Sequence, residues 1–156
     1  MNSKTTDIKS KQKEGMADSQ IELKMCANPE YLPAARMLVR GITRIVGLED
    51  KEDLVTLAVE EALTNVIRHS YGGACEKPII VKFKRINYGS ENRPALEILI
   101  RDFGRQVDPE SIKGRDPCEF KPGGLGVHIV QTVMDEIEFS HAGDCGMQLR
   151  MVKCIV

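Results

Sequence analysis

From Gln20 to Ala27, apolar Ile21, Leu23 and Met25 alternate with polar Glu22 and Lys24. A period of two is that of a half-buried strand. At Pro29 and Glu30 the period changes to helical, carrying Leu32, Ala35, Leu38, Val39, Ile42 and Val46 on one face and stopping at Gly47. A second helical pattern, with Asp50 as its expected cap, runs to about Ser70 and ends at Tyr71-Gly72-Gly73. Two strand-like runs follow, Pro78 to Ile86 and Ala95 to Arg101, joined by the polar hairpin-like stretch Asn87 to Pro94. The stretch from Arg101 to Gly124 is polar, rich in Gly and Pro and without a period; in a compact domain a loop of that length is usually functional or disordered. Leu125 to Met134 reads as a short helix. Glu136 to His141 and Met147 to Val156 read as two strands across an Ala142-Gly143-Asp144 turn. The order β-α-α-β-β-loop-α-β-β predicts an α/β two-layer sandwich, with one mostly antiparallel sheet covered by helices on one face.

The second helical pattern holds a contradiction. At about 100° per residue, Asp53, Thr56, Glu60 and Thr64 form a polar stripe, which is the expected solvent side. Glu61 and Asn65 lie off that stripe, one turn apart, on a face shared with Leu54, Leu57 and Ala58. A carboxylate and an amide among apolar neighbours need partners. They are satisfied either by a hydrogen-bond network or by a ligand in a pocket. Glu60 points elsewhere and is left out of the candidate set.

Composition narrows the classes. The chain has 156 residues, enough for one domain with a core, and its 42% hydrophobic and 29% charged residues are those of a globular protein. A net charge of −1 supplies no field for nucleic acid or anionic membrane, and no apolar run approaches a membrane span. Aromatics at 4%, without Trp, weaken base stacking as a mode of binding. The five cysteines are scattered, with no C-x-x-C pair and no histidine at metal spacing, which suits a reduced, cytoplasmic protein. Met1 to Ser19 is polar and reads as a disordered leader before a domain over residues 20–156.

Two later segments give the Glu61–Asn65 pair something to act with. Asp102-Phe103-Gly104 follows the strand Leu96 to Ile100. An acid at a strand exit can accept from a ligand amino group, and the glycine permits close backbone approach. Pro122-Gly123-Gly124-Leu125-Gly126-Val127 runs into a helix, where clustered glycines and the helix start present N–H groups to an anion. It is not a Walker A loop, because no Gly-Lys-Ser/Thr follows. Asp-Phe-Gly is not that of a eukaryotic protein kinase, whose other motifs are missing.

In this order, Glu61 to Tyr71, Ile98 to Gly104 and Gly123 to Val130 resemble the N, G1 and G2 boxes of the GHKL superfamily of gyrase, heat-shock chaperone, histidine kinase and mismatch-repair ATPases. The strings Ala58 to Gly73, Asp108-Pro109-Glu110, Gly123 to Val130 and Val133 to Phe139 resemble most the bacterial anti-sigma factor serine/threonine kinases. The resemblance spans about Ile21 to Val156 and implies the Bergerat ATP-binding fold. It implies ATP and Mg²⁺ as cofactors, with Asn65 as the metal ligand and Glu61 as the catalytic base for a partner's serine. Asp102, with Gly104 beside it, would read the adenine amino group. Gly124, Leu125 and Gly126 would wrap the phosphates under a lid at about residues 105–122. Arg68 and His69 fall where the family is polar beneath the nucleotide, and Arg68 could orient Glu61.

The partners implied are a sigma factor, which such proteins sequester, and an anti-sigma factor antagonist protein, which they phosphorylate; family members commonly form homodimers. Two departures bear on nucleotide affinity. Gln106 stands where the second glycine of the G1 box is usual, which should stiffen the lid hinge. Gly146-Met147-Gln148 stands where the family often has Gly-Thr, so an adenine contact is lost or passes to Gln148. Two rivals remain at this level: a non-catalytic, nucleotide-gated partner-binding module, and a detached histidine kinase ATP-binding domain, which would need a phospho-accepting helical domain for which there is no room.

Overall fold

The computed structural model describes residues 20–112 and 125–156. The expected leader, most of the lid and Gly124 therefore lie outside the described residues. Strand β1 (Gln20–Ala27) leads through a 3-10 turn (Pro29–Tyr31) into α1 (Leu32–Val46), and α2 (Glu52–Asn65) follows. Then come the hairpin β2 (Cys75–Tyr88) and β3 (Arg93–Arg101), helix α3 (Leu125–Val133), and the hairpin β4 (Glu136–His141) and β5 (Met147–Cys154). The predicted order holds. The central hairpin strands extend further than their apolar cores suggested, because ladder pairing continues to Tyr88 opposite Arg93.

The five strands form one sheet in the order β1-β2-β3-β5-β4, with every neighbouring pair antiparallel. Register places Ile98 opposite Phe83 on one side and Met151 on the other. Alternation then puts Val81, Phe83, Ile98, Ile100, Leu149 and Met151 on the face that packs under the helices, in a single core. The opposite face is charged at its centre, where Arg150 bonds Glu97 at 2.7 Å and Glu136 at 2.5 Å. This is the two-layer sandwich the pattern predicts. Because β5 lies between β3 and β4, the end of β3 meets the start of β5, and the Asp102 N–H donates to the Met147 carbonyl at 3.0 Å.

Gly47 ends α1 in the left-handed conformation (φ 88°), and the next N–H, on Leu48, returns to the Thr43 carbonyl at 2.8 Å. The start of α2 differs from expectation. Asp50 lies within a 3-10 turn (Glu49–Lys51), and the residue at the cap, Lys51, makes no side-chain cap bond. The end differs too: the α-helix stops at Asn65 and continues as a π turn over Val66–Ser70. Apolar spacing cannot separate the two forms over five residues.

The face of α2 assigned to solvent also differs. Thr56 is buried, Glu52 is buried, and Glu60 bonds Arg36, while Leu54 and Leu57 are 53% and 41% exposed. Helix α1 sets Arg36, Arg40 and Arg44, one turn apart, against the row Glu52, Thr56 and Glu60 of α2. Arg36 Nε reaches Glu60 at 2.9 Å, Arg40 reaches Glu52 at 2.6 Å, and Arg44 Nη2 reaches Glu52 at 3.0 Å. Of the expected stripe, Thr56 and Glu60 thus lie in a helix–helix contact, whereas Asp53 is exposed as expected. Thr56, between Glu52 and Glu60, leaves its hydroxyl buried without a partner among the described residues.

Candidate functional site

A cavity of about 300 Å³ opens where the end of α2, the loop after β3 and the start of α3 meet above the sheet. Asn65, Ser70, Asp102 and Arg105 give it polar wall, and Val130 and Leu149 are part of its apolar floor. That size is at the small end of ligand pockets, which run from about 300 to 1,000 Å³.

Asp102 is 3% exposed and firmly held. Its Oδ1 accepts the N–H of Gly104 at 2.9 Å and that of Met147 at 3.3 Å, and its Oδ2 accepts the Ser70 hydroxyl at 3.1 Å. The Arg101 guanidinium bonds the Asp102 carbonyl and reaches the Cys145 carbonyl at 2.8 Å, stacking on the Phe103 ring 4.2 Å away. An ionised carboxylate accepts through both oxygens, so Asp102 offers the cavity an acceptor. Gly104 has a steric reason to be glycine, because a Cβ there would collide with the Ser70 carbonyl oxygen and sit 2.9 Å from its carbon.

The other end of the cavity belongs to α2 and α3. Asn65 lines it, and its side chain makes no hydrogen bond among the described residues. Glu61 does not line it; it stands at the edge, half-buried and likewise unbonded among the described residues. Both converge on Gly126 in the first turn of α3. A Cβ on that glycine would lie 2.7 Å from Glu61 Oε2 and 3.3 Å from Asn65 Nδ2. The glycine therefore lets the start of α3 close on the two polar side chains. Leu125 opens the helix.

Arg68 is exposed, does not line the cavity and makes no ion pair among the described residues. His69 lines the cavity. Gln148 cannot replace the adenine contact: Met147 and Leu149 line the cavity, so the side chain between them points to the opposite face of the sheet. Gln106 does tie down the loop, donating to the Gly143 carbonyl at 3.0 Å, and His141 Nε2 donates to the Val107 carbonyl at 2.8 Å.

Three residues escaped the motif reading. Ser70 and Tyr71 looked like a helix stop, yet both bond the Asp102 loop: the Phe103 N–H donates to the Tyr71 hydroxyl at 2.7 Å, and that hydroxyl donates to the Pro78 carbonyl at 2.6 Å. Burial pushes the Tyr71 phenol up from its ordinary pKa, so it keeps its proton. Arg105 was read only as the start of a lid, yet it lines the cavity.

These groups suit a nucleotide: a fixed acceptor at one end, and at the other an unpartnered amide with a helix start beside it. Among the described residues no cluster of three or more His, Cys, Asp or Glu could hold a metal. Any Mg²⁺ here would rest on Asn65 together with phosphates and waters, which is a usual way of holding that ion.

Fold and site define an ATP-binding domain of the histidine kinase-like class, and the chain belongs to that family: the model of the histidine kinase-like ATPase domain matches residues 25–153. It is similar to "Serine-protein kinase RsbW" of Bacillus thuringiensis (strain Al Hakam), 33% identical over 147 residues that cover 87% of this chain and 85% of the relative. The protein of the same name from Bacillus anthracis matches to the same extent. Among solved structures, the histidine kinase domain of the Erythrobacter litoralis EL346 blue-light activated kinase aligns over 92% of this chain and 69% of that one, with TM-score 0.47 and 17% identity. No helix among the described residues is long and apolar enough to cross a membrane.

Proposed function

We propose that this chain is an ATP-dependent serine/threonine protein kinase that acts as an anti-sigma regulatory factor in the cytoplasm. In this reading it sequesters a sigma factor and phosphorylates a serine of an anti-sigma factor antagonist protein. The observation that carries it is the convergence of Glu61 and Asn65 on Gly126, at the edge of a cavity whose far end holds the pinned acceptor Asp102. The curated relatives, matched over most of both chains, support the kinase assignment by their names.

Asp102 accepts the amino group of the base and sets the register of the nucleotide. Gly126 brings backbone N–H groups at the start of α3 toward the phosphates. Asn65 would supply an amide oxygen to Mg²⁺, which when bound would neutralise charge on the transferred phosphoryl group. Glu61 takes the proton from the partner's serine hydroxyl as that oxygen bonds to the γ-phosphorus and the bond to ADP breaks. Being free of other bonds among the described residues, its carboxylate is available for that proton.

With labelled ATP and a cognate antagonist, Glu61→Gln should lower transfer by about 10² to 10⁴ while leaving ATP affinity within a few-fold. Full transfer by this variant would remove Glu61 from the role. A second reading, a nucleotide-gated binding module without transfer, draws on the Gln106–Gly143 bond that restrains the segment after β3. That reading predicts partner binding that depends on ATP, with no labelled product.

A further inference from the structure

We propose that Ser70 and Tyr71 are positioning residues for base recognition, fixing the Asp102 carboxylate so that it selects an amino-bearing purine. The assignment rests on the nucleotide-binding reading above and adds two residues to it. Each residue grips a different part of the Asp102 loop. The Ser70 hydroxyl donates to Asp102 Oδ2 at 3.1 Å, which sets the torsion of the carboxylate. The Tyr71 hydroxyl accepts the Phe103 N–H at 2.7 Å and donates to the Pro78 carbonyl at 2.6 Å, tying the loop backbone to β2. The Gly104 Cα lies against the Ser70 backbone, closely enough that no side chain fits between them.

All of these contacts come from the end of the π turn that continues α2. The helix that carries Glu61 and Asn65 therefore also carries the brace for the other end of the site. With Oδ1 committed to two backbone N–H groups and Oδ2 held by Ser70, the carboxylate has little freedom to rotate toward a different hydrogen-bond pattern. An acceptor held this way suits the exocyclic amino group of adenine. It opposes the carbonyl that hypoxanthine or guanine carries at the same position.

The test measures equilibrium binding of ATP and of inosine triphosphate, which differ at that group, to the intact chain and to Ser70→Ala and Tyr71→Phe. The wild-type chain should prefer ATP by about tenfold or more, the scale of one hydrogen bond to a charged acceptor. In each variant the preference should shrink to within about threefold, chiefly through weaker ATP binding. A merely structural role would lower both affinities by one factor, so an unchanged ATP-to-inosine triphosphate ratio in a variant overturns the assignment for that residue. Absence of ATP binding by the wild-type chain would overturn the nucleotide reading itself, together with this one.

Discussion

Glu60 and Glu61 are neighbours in sequence, and α2 sends them to opposite duties. The Glu60 carboxylate is clamped by the Arg36 guanidinium of α1, with Nε at 2.9 Å, whereas Glu61 faces Gly126 of α3 without a bond among the described residues. One step of about 100° around a helix separates a structural ion pair from the candidate base.

Gly126 is the point at which α3 approaches that candidate base. Gly126→Ala would place a methyl 2.7 Å from Glu61 Oε2, the far end of a flexible side chain that can swing away. Alanine is the better helix former by about 1 kcal/mol, so thermal stability should hold or rise. Phosphoryl transfer should fall by roughly tenfold or more, since small misplacement of a catalytic group is costly. A stable variant with wild-type transfer would show that the Glu61–Gly126 approach is unimportant.

Gly104 should behave differently. Its added methyl meets the Ser70 backbone, which has no flexible end to move. Gly104→Ala should therefore displace the loop and weaken ATP binding by about tenfold to a hundredfold, equivalent to losing one or two of the hydrogen bonds on Asp102. Calorimetric titration with ATP would measure it.

The Thr56 hydroxyl is buried between α1 and α2 without a partner among the described residues. Thr56→Val keeps the shape and removes the unsatisfied group. It should stabilise the fold by about 1 kcal/mol, within the range of the penalty for burying such a group. Chemical denaturation gives the value directly, and a lower midpoint would mean that the hydroxyl has found a partner.

Glu52 sits between Arg44 and Arg40, and its bonds to them, Arg44 first, hold its carboxyl below the ordinary glutamate value against the opposing effect of burial. Because the folded-state value is depressed, the stabilisation is present above the unfolded carboxyl pKa of about 4.3 and is lost as pH falls through the folded value. Glu52→Gln should lower the melting temperature near pH 7, and the gap to wild type should narrow as the pH is taken below about 4. A gap that stays constant with pH would assign the loss to packing.

Arg105 lines the cavity and makes no ion pair among the described residues. As a permanent cation in the wall of a site for an anionic ligand, it should contribute to nucleotide affinity. Arg105→Met should weaken ATP binding by roughly threefold to tenfold, and added salt should reduce the difference, as for any exposed charge. Equal affinities at low salt would remove it from the site.

Among the described residues, periodicity within the chain was enough to read the five strands and three α-helices in order, because each buries one face and repeats at its own spacing. Motif order also found Asp102, Gly104 and Gly126, whose positions in the structure suit a nucleotide. Single-element periodicity, however, says only that a residue is polar, not what it meets. Thr56 and Glu60 fell on the stripe expected to face solvent, yet with Glu52 they form a row that meets Arg36, Arg40 and Arg44 of the preceding helix. Only packing of the two helices decided that these rows would face each other and leave Leu54 and Leu57 exposed. Tertiary structure likewise turned Gln148 away from the cavity, left Arg68 exposed outside it, and made Ser70 and Tyr71 the supports of Asp102. The physical reason is common to all of these. A side chain's period is set by its own backbone, but its partner is set by elements distant in sequence, through register and packing that no local pattern encodes.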